Sequence, residues 1–336
     1  ACIWYGRKLR REYEAVETVV AMSDREIEAD EEDFSQAGTD DLPDFSETEV
    51  VWEGKIWRRS SHVKAILCMG VDRSNELTES RSLAAGDEVG QADGIFLLAW
   101  DSARGQIRLL MIPRDTMTEI SIFNEDGSLQ SKEENHLTLA YAYGDGRETS
   151  CENVVESVSG LLFGLPIESY LAVDIQVIGI LNDAVGGVTV TVPTAGMEKV
   201  DPAFVQGETI TLHGSQAERF VRYRDTGVAN SALMRMNQHR QFIHGFFDAV
   251  SEQAGEDGGI VGRLFEQIED DMVTNMRKEE YLKVTLDVLA GEGIPEDGYY
   301  TLPGIGLTTD RYDEYYADLR KTVPVLLELF CYSSEE

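Results

Sequence analysis

Basic residues are scarce in this chain. Its 336 residues include 29 Lys and Arg against 62 Asp and Glu, which gives a formal net charge of −33. Because phosphate backbones and anionic lipid headgroups select basic surfaces, this balance argues against a nucleic-acid partner and against broad electrostatic docking on an acidic membrane. A phosphate group would have to meet a local cluster of arginines, so the positions of the few arginines become the main question.

Long hydrophobic runs and paired cysteine motifs are also missing. No stretch approaches the roughly 18–20 apolar residues that span a bilayer. The four cysteines show no C-x-x-C spacing, which makes a structural zinc site a poor interpretation; they are Cys2, Cys68, Cys151 and Cys331. The first eleven residues place Trp4 and Tyr5 before four basic residues. They are open to two interpretations, the trimmed end of a membrane helix or a short disordered or helical start.

Several familiar catalytic signatures are absent from the sequence. It contains no H-E-x-x-H, no G-x-S-x-G, no Walker A loop and no G-x-G-x-x-G. The remaining signals are carboxylates and arginines near strand ends and on one helix.

The chain is predicted to fold mainly after residue 61. Acidic residues dominate positions 12 to about 54, which predicts a short helix to Ala21 and then a solvated linker, with a binding tail as the alternative. From His62 onward apolar runs recur, and 42% apolar residues overall allow a sizeable core. We therefore expect a membrane-proximal segment and acidic linker over 1–61 and one folded domain over 62–336.

Strand and helix patterns alternate irregularly in the second region. Residues 63–70 are typical of a buried strand, 94–100 and 107–112 of a hairpin, 170–173 and 187–193 of further strands. A capping box at Thr149 and Glu152 predicts a helix to about Phe163, and Asp174 is the expected N-cap of a helix over 175–185. Later helices are expected over 215–223, 233–251, 260–268, 279–289 and 312–330, the last broken at Pro324. This pattern predicts an α/β fold with a mixed β-sheet flanked by helices, an α-β-α sandwich.

Two carboxylates stand at predicted strand ends. Asp72 follows the first strand directly, and Asp93 immediately precedes the second apolar run. Ligands gather at strand ends in α/β sheets, and two carboxylates there suit a magnesium ion shared with phosphates. The alternative is that each residue is an ordinary loop acid.

A rigid arginine follows the predicted hairpin. Pro113 forces the chain to leave the sheet, and Arg114 and Asp115 come directly after it. Arg114 would then either clamp a phosphate or form a salt bridge with Asp115 or another neighbour.

Further arginines concentrate near one helix end. An arginine fork binds phosphate oxygens through paired, charge-assisted hydrogen bonds, although pairing with Glu218 or Asp225 is an equal alternative. This group comprises Arg219, Arg222, Arg224 and Arg235. His136 and His239 are candidate acid–base groups, but a lone histidine is more often structural.

Six short motifs, taken in order, resemble the LytR-CpsA-Psr family over about residues 62–332. They are Met69-Gly70-Val71-Asp72, Ala92-Asp93 before a strand, Ile112-Pro113-Arg114-Asp115-Thr116, Ala140-Tyr141-Ala142-Tyr143-Gly144, Leu181 to Val188, and Val221-Arg222-Tyr223-Arg224 ahead of Arg235. The resemblance implies an extracellular domain anchored by one N-terminal membrane helix that lies outside this chain. It also implies a Mg²⁺-dependent phosphotransferase that moves a glycopolymer, such as teichoic acid or capsular polysaccharide, from a polyprenyl-diphosphate carrier to peptidoglycan. A pyrophosphatase side activity is a secondary expectation.

The resemblance also implies roles for particular residues. Asp72 and Asp93 would contact Mg²⁺ directly or through water. Asp115 would orient its neighbours or help activate the acceptor, and Arg114 would take part in the reaction. The diphosphate would be bound by Arg114, Arg222, Arg224 and Arg235, with Gln91 and His136 at two further positions of the same pocket.

The sequence departs from the family pattern within that pocket. Gln91 stands where the family usually has Arg, Gly94 replaces a Thr, and His136 stands where many members carry Lys. After Arg235, Gln238 replaces an expected Arg and His239 an expected Gln. Each lost charged hydrogen bond would cost roughly 1.5–3 kcal/mol. The leading hypothesis is therefore a divergent working transferase, and the alternative is a member that binds a lipid carrier or wall polymer without turnover. An unrelated α/β hydrolase ranks last because no nucleophile signature is present.

Overall fold

A six-stranded mixed sheet forms the centre of the fold. The computed structural model describes residues 42–73, 89–124, 126–225, 231–309 and 312–333. The sheet has the strand order β11-β8-β3-β4-β5-β12. Its strands are β3 (Val63–Asp72), β4 (Gln91–Asp101), β5 (Gln106–Ile112), β8 (Ser169–Asp174), β11 (Met272–Thr274) and β12 (Tyr299–Thr301).

Three smaller hairpins and a three-stranded sheet surround the centre. The strands β1 (Glu49–Trp52), β2 (Lys55–Arg59) and β15 (Cys331–Ser333) form the three-stranded sheet. The hairpins pair β6 (Met117–Phe123) with β7 (Leu129–His136), β9 (Thr189–Thr191) with β10 (Thr209–Thr211), and β13 (Gly304–Thr308) with β14 (Asp313–Ala317).

Eight helices lie within the described ranges, and they flank the central sheet. They are α1 (Thr138–Ala142), α2 (Glu148–Leu161), α3 (Val177–Ala184), α4 (Ser215–Arg222), α5 (Ser231–Glu256), α6 (Ile260–Ile268), α7 (Lys278–Ala290) and α8 (Leu319–Phe330). Ile66, Trp100 and Leu109 of the sheet pack against Val284 and Val288 of α7. The predicted α/β class, a mixed sheet flanked by helices, is confirmed. No helix in the described ranges is both long and apolar enough to cross a membrane.

The antiparallel pairing of β3, β4 and β5 determines where the candidate site lies. The strand β4 runs antiparallel to both neighbours, so its first residues lie beside the last residues of β3 and of β5. Asp72 is thus paired with Gln91, and Ile95 with Ile112. A register shift between Gly70 and Val71 interrupts the β3–β4 ladder at this edge. Side chains from three sequence-distant segments therefore converge on one edge of the sheet.

The folded unit begins before the boundary predicted at residue 62. It runs from Pro43, and residues 43–61 hold β1 and β2 instead of a solvated linker. Phe45 and Val50 are fully buried, because this segment contributes alternating apolar residues as well as acids. The helix predicted to Ala21 lies outside the described residues.

The C-terminal region differs from the continuous helical region predicted over 312–330. Its first part is the strand β14, whose backbone pairs with β13. The helix α8 starts only after Asp318, whose carboxylate accepts the N–H of Lys321. It continues through Pro324 to Phe330.

The other predicted elements are found with small shifts. The helices at 215–222 and 260–268 and the strand at 169–174 match closely. The predicted capping box of α2 does not form, since no side-chain cap is made at its N-terminus. Asp145 instead accepts the N–H groups of Arg147 and Ser150. The hairpin β6–β7 was not predicted.

Candidate active site

Asp93 is the centre of a buried ion-pair cluster. It is 7% exposed and lies in β4 next to the interruption of the ladder. Its Oδ2 accepts a hydrogen bond from Nη1 of Arg235 at 3.0 Å, and its Oδ1 accepts one from Nη1 of Arg114. Burial alone would raise the pKa of Asp93, but the two guanidinium groups outweigh burial and hold this pKa below its usual value. Asp93 is therefore a carboxylate at neutral pH.

The partner arginine from α5 is equally buried. Arg235 is 7% exposed, and burial lowers the pKa of its guanidinium, an effect that Asp93 partly offsets. Because one buried charge left alone would be strongly unfavourable, the two residues depend on each other.

Gln91 helps to orient Arg114. Its Oε1 accepts a hydrogen bond from Nη2 of Arg114 at 2.6 Å, and Nη1 of the same guanidinium donates to Asp93. The two terminal nitrogens of Arg114 are therefore held by Gln91 and Asp93. An arginine at position 91 could not accept this hydrogen bond. The structure thus brings Gln91 into the predicted pocket, in contact with a cation.

Asp72 forms a second ion pair at the same edge. The residue is 2% exposed, and its Oδ2 lies 2.9 Å from Nη2 of Arg222 at the end of α4. Arg222 also donates from Nη1 to Glu218 at 2.9 Å, one turn earlier in the helix. The predicted pairing with Glu218 is thus confirmed, while the partner at the strand end, Asp72, was not predicted. Arg219 lies apart from the cluster and pairs with Asp201 at 2.8 Å.

Arg224 is shared between two carboxylates. Its Nη2 lies 3.0 Å from Oδ2 of Asp313 and 3.6 Å from Oδ2 of Asp115. The predicted residue His136 is linked to the same place, because its Nε2 donates to the backbone carbonyl of Asp313 at 3.1 Å. Asp313 was missed from the sequence, since it falls in a segment predicted as helical.

Two polar atoms in the middle of the cluster have no hydrogen-bond partner among the described residues. They are Nε of Arg114 and Oδ2 of Asp115, both inaccessible to solvent. Oδ1 of Asp115 lies 3.4 Å from Nε of Arg114, beyond a well-formed hydrogen bond. Buried polar groups are normally satisfied, so a ligand is a physical explanation for this pair.

A small cavity of about 10 Å³ lies beside the cluster, with room for about one water molecule. One part of its wall is polar and comprises Asp93, Arg114, Arg235 and His239; the other is apolar and comprises Ile95, Phe96, Met111, Ile112 and Met236. The lining thus places charged groups next to apolar side chains, a combination that an amphiphile with an anionic head and an apolar tail would use only if the apolar wall opened further.

His239 is a structural part of this wall. Its Nε2 donates to the carbonyl of Val221 at 3.1 Å, and its ring meets Phe96 edge-on with centroids 5.7 Å apart. Burial lowers the pKa of His239 to about 4, so the ring is neutral at pH 7. Gly94 permits this packing, because a Cβ there would lie 2.9 Å from the Phe96 ring. The structural interpretation of His239 is thus favoured over an acid–base role.

A metal ion at this site would need ligands from a substrate. Within the described part of the chain, no group of three His, Cys, Asp or Glu is arranged to hold an ion. Mg²⁺ is commonly bound by one or two carboxylates together with phosphate oxygens and waters. The buried carboxylates of Asp72 and Asp93, at neighbouring strand ends, match that donor set.

The comparisons place this chain in a known family. The model of the LytR_cpsA_psr family matches residues 17–317, and the chain belongs to this family. A relative from Bacillus licheniformis, named polyisoprenyl-teichoic acid–peptidoglycan teichoic acid transferase TagU, is 28% identical over 249 residues, covering 70% of this chain and 71% of that protein. TagV from Bacillus subtilis, of the same printed activity, is 25% identical over 224 residues, and the match covers 65% of this chain and 51% of TagV.

Solved structures support the same fold. The crystal structure of Bacillus subtilis TagV has a TM-score of 0.60 at 20% identity, covering 80% of this chain and 98% of that one. The structure of TagT bound to LIIa-WTA has a TM-score of 0.58 at 18% identity, covering 80% and 90%. These structures confirm the fold, and the family model confirms the predicted family.

Proposed function

We propose that this chain is a phosphotransferase that moves a glycopolymer from a polyprenyl-diphosphate carrier to peptidoglycan. One observation carries the proposal, the convergence of Arg114, Arg222, Arg224 and Arg235 with buried carboxylates beside a small cavity that has an apolar wall. In a chain with a net charge of −33, such a concentration of guanidinium groups has a specific use. The activities printed for the related TagU and TagV proteins support the same reaction.

The reaction exchanges a phosphoanhydride bond of the carrier for a phosphodiester bond to peptidoglycan. An oxygen of a peptidoglycan hydroxyl attacks the phosphorus that carries the polymer, and the bond between this phosphorus and the bridging oxygen breaks. Polyprenyl monophosphate leaves with the bonding electrons, and the hydroxyl proton passes to Asp115. With water in place of the sugar hydroxyl, the same step gives the proposed pyrophosphatase side activity. Positioning and charge stabilisation supply most of the catalysis in such reactions.

The arginines would exchange their carboxylate partners for phosphate oxygens. Arg114 is available, because its Nε has no hydrogen-bond partner among the described residues, although its side chain is only 14% accessible. Arg222 and Arg224 are more exposed than Arg235, with side chains 31%, 26% and 8% accessible. We therefore assign the first phosphate contacts to Arg114, Arg222 and Arg224, while Arg235 mainly keeps Asp93 in place. Gln91 would act by orienting Arg114, and His136 would line the diphosphate site with its ring held by the backbone carbonyl of Asp313.

Magnesium is proposed as the cofactor, held by Asp72 and Asp93 together with diphosphate oxygens. Bound Mg²⁺ would neutralise charge on the phosphates as the bond breaks. The ion pairs of Asp72 with Arg222 and of Asp93 with Arg114 would open at the same time, so that each cation and each anion gains a new partner.

The site of action is also proposed. Lipid-linked polymer and peptidoglycan meet at the outer face of the cell membrane. We propose that the domain works there, held by an N-terminal membrane helix. The relatives' printed substrates, teichoic acid and peptidoglycan, support this location.

A binding protein without turnover is the second candidate. The supporting observation is Gln91, whose Oε1 accepts from Arg114 and which adds no positive charge to the pocket. Such a protein would hold a lipid carrier or wall polymer through the remaining arginines.

The two candidates are separated by a transfer assay. The domain is incubated with a polyprenyl-diphosphate-linked sugar, peptidoglycan fragments and Mg²⁺, and transferred sugar is measured. Asp93→Ala and Arg222→Ala are compared with Arg219→Ala, which removes an arginine of the same helix that pairs outside the cluster. Each lost charge-assisted hydrogen bond is worth roughly 1.5–3 kcal/mol, so the first two variants are expected to fall at least about tenfold.

The outcome decides between transfer and binding. Transfer by wild type and Arg219→Ala, lost on chelation and in both other variants, supports the transferase. Tight lipid binding without transfer, across acceptors and metals, refutes the transferase and leaves the binding protein.

A further inference from the structure

The hairpin β13–β14 brings the side chain of Asp313 to the candidate active site. Its Oδ2 lies 3.0 Å from Nη2 of Arg224, and its backbone carbonyl accepts Nε2 of His136 at 3.1 Å. Two predicted diphosphate-binding side chains are thus in contact with a single position on this hairpin.

The carboxylate of Asp313 is fixed from within the hairpin. Its Oδ1 accepts the hydroxyl of Thr308 at 2.9 Å, and Thr308 and Asp313 are cross-strand partners. With one oxygen held by Thr308 and the other directed at Arg224, the carboxylate has a defined orientation. It can therefore set the position of the guanidinium.

The hairpin is also registered to the backbone of Asp115. The N–H of Tyr315 donates to the carbonyl of Asp115 at 2.8 Å, and Tyr315 bridges Thr116. The Tyr315 hydroxyl donates to the carbonyl of Leu302 at 2.5 Å, which anchors the strand from its other side. The distance between the carboxylates of Asp313 and Asp115 is thereby controlled by the main chain.

Arg224 lies between these two carboxylates and is nearer to Asp313. The contact with Asp115 is longer, at 3.6 Å. Without Asp313 the guanidinium would move onto Asp115, because an opposite charge a short distance away attracts it strongly in a buried site. It would then occupy the oxygen that the proposed reaction uses to accept a proton.

We propose that Asp313 is a positioning residue, which holds Arg224 away from Asp115 and fixes His136 through its backbone carbonyl. The proposal rests on the proposed function, since it assigns a purpose to Arg224 and Asp115 in phosphoryl transfer. Asp313 itself need not touch the substrate.

Measuring ligand affinity and transfer rate separately tests this role. Asp313→Asn removes the charge with little change in shape. Binding of farnesyl diphosphate with Mg²⁺, measured by calorimetry, is expected to tighten by about threefold, because a competing anion is lost. The transfer rate at saturating donor is expected to fall by about tenfold, because a displaced Arg224 guanidinium no longer aligns the reacting atoms. Asp313→Glu, which keeps the charge, is expected to recover most of the rate.

Two controls make the result specific. Glu314→Gln changes the next carboxylate of the same strand, whose side chain points to the other face and accepts the Tyr316 hydroxyl; it is expected to behave like wild type. In an Arg224→Gln background, Asp313→Asn is expected to change neither affinity nor rate further, because its effect passes through Arg224.

The possible failures are distinguishable. Weaker binding with an unchanged saturated rate, equal losses in Asp313→Asn and Glu314→Gln, or no recovery with Asp313→Glu would each overturn the positioning role. If wild type transfers nothing, the proposed function fails. The affinity gain in Asp313→Asn and its disappearance with Arg224→Gln would then still support the positioning of Arg224, and their absence would refute it.

Discussion

Replacing His239 with glutamine is expected to make the fold less sensitive to acid. Burial, followed by the charge of Arg235, lowers the pKa of His239 from 6.5 to about 4. The folded protein therefore keeps this ring neutral, whereas the unfolded chain protonates it below about pH 6.5. Glutamine cannot be protonated in this range, and its amide can still donate to the Val221 carbonyl that Nε2 of His239 contacts.

The sign and size of the effect follow from the two pKa values. Between about pH 6.5 and pH 4 the unfolded state binds more protons than the folded state, so the free energy of unfolding decreases as the pH falls. With a folded-state pKa of about 4, the neutral ring of His239 lowers the free energy of unfolding by about 0.2 kcal/mol at pH 7 and by about 2.6 kcal/mol at pH 4.5, relative to a residue that does not titrate. The ring of His239 keeps some accessible surface, so we expect a difference of about 2 kcal/mol between these conditions.

Urea unfolding of wild type and His239→Gln, at several values from pH 7 to pH 4.5, measures this difference. Subtracting the two curves removes the contributions of the carboxylates, including Asp93, that both proteins share. His213→Gln is the matched control because His213 is exposed, and its curve is expected to run parallel to wild type. If the His239→Gln curve also runs parallel to wild type, the ring is not held neutral by burial and the reasoning is refuted.

Three further variants test the packing around the site by urea unfolding. Arg235→Met leaves the buried Asp93 with one guanidinium partner fewer and is expected to lower the free energy of unfolding by about 3 kcal/mol. Adding Asp93→Asn to this variant is expected to restore most of that loss, because the unpaired carboxylate is then gone. Asn153→Leu removes three hydrogen bonds to backbone groups of β6 and α1 and is expected to cost about 3 kcal/mol; a loss under 1 kcal/mol would contradict it. Gly187→Ala puts a Cβ 2.8 Å from the Leu212 carbonyl at a φ of +104° and is expected to cost about 2–3 kcal/mol, whereas an unchanged midpoint would argue against that backbone geometry.

The convergence of the site could be predicted from local sequence signals. A buried apolar run ending at Asp72, a second run starting after Asp93, and a proline that ends the hairpin at residue 113 locate three strand ends. Once β4 pairs with both neighbours, these ends must meet. The chemical character of the edge therefore follows from residues adjacent in sequence to the strands.

The contribution of β13–β14 could not be predicted in the same way. Residues 313–317 contain no strong turn or alternation signal, and the helix that follows made a helical interpretation reasonable. They form a strand because β13 and the carbonyl of Asp115 offer hydrogen bonds from outside the segment. Such non-local partners override local propensity, which is why Asp313 was missed.

The choice of partner within the cluster also depends on the folded structure. Arg222 has a possible partner on its own helix and pairs with Asp72 as well. Gln91 reads in sequence as a lost cation, yet in the fold it is a hydrogen-bond acceptor for Arg114. Sequence alone identifies which charges are present, while the pairing decides what each one can do.

The local charge balance of the cluster limits how it can bind a diphosphate. Among the residues that the structure describes, five carboxylates contact its four arginines; they are Asp72, Asp93, Asp115, Asp313 and Glu218. These nine groups together carry a formal charge of one negative unit, inside a protein that is itself strongly acidic. A diphosphate cannot enter as an addition to this arrangement, and must replace carboxylates as partners of the arginines. A divalent cation would give the displaced carboxylates a new partner and make the cluster net positive. The same charge balance that makes the buried network stable without a ligand therefore favours binding in which the anion and Mg²⁺ arrive together.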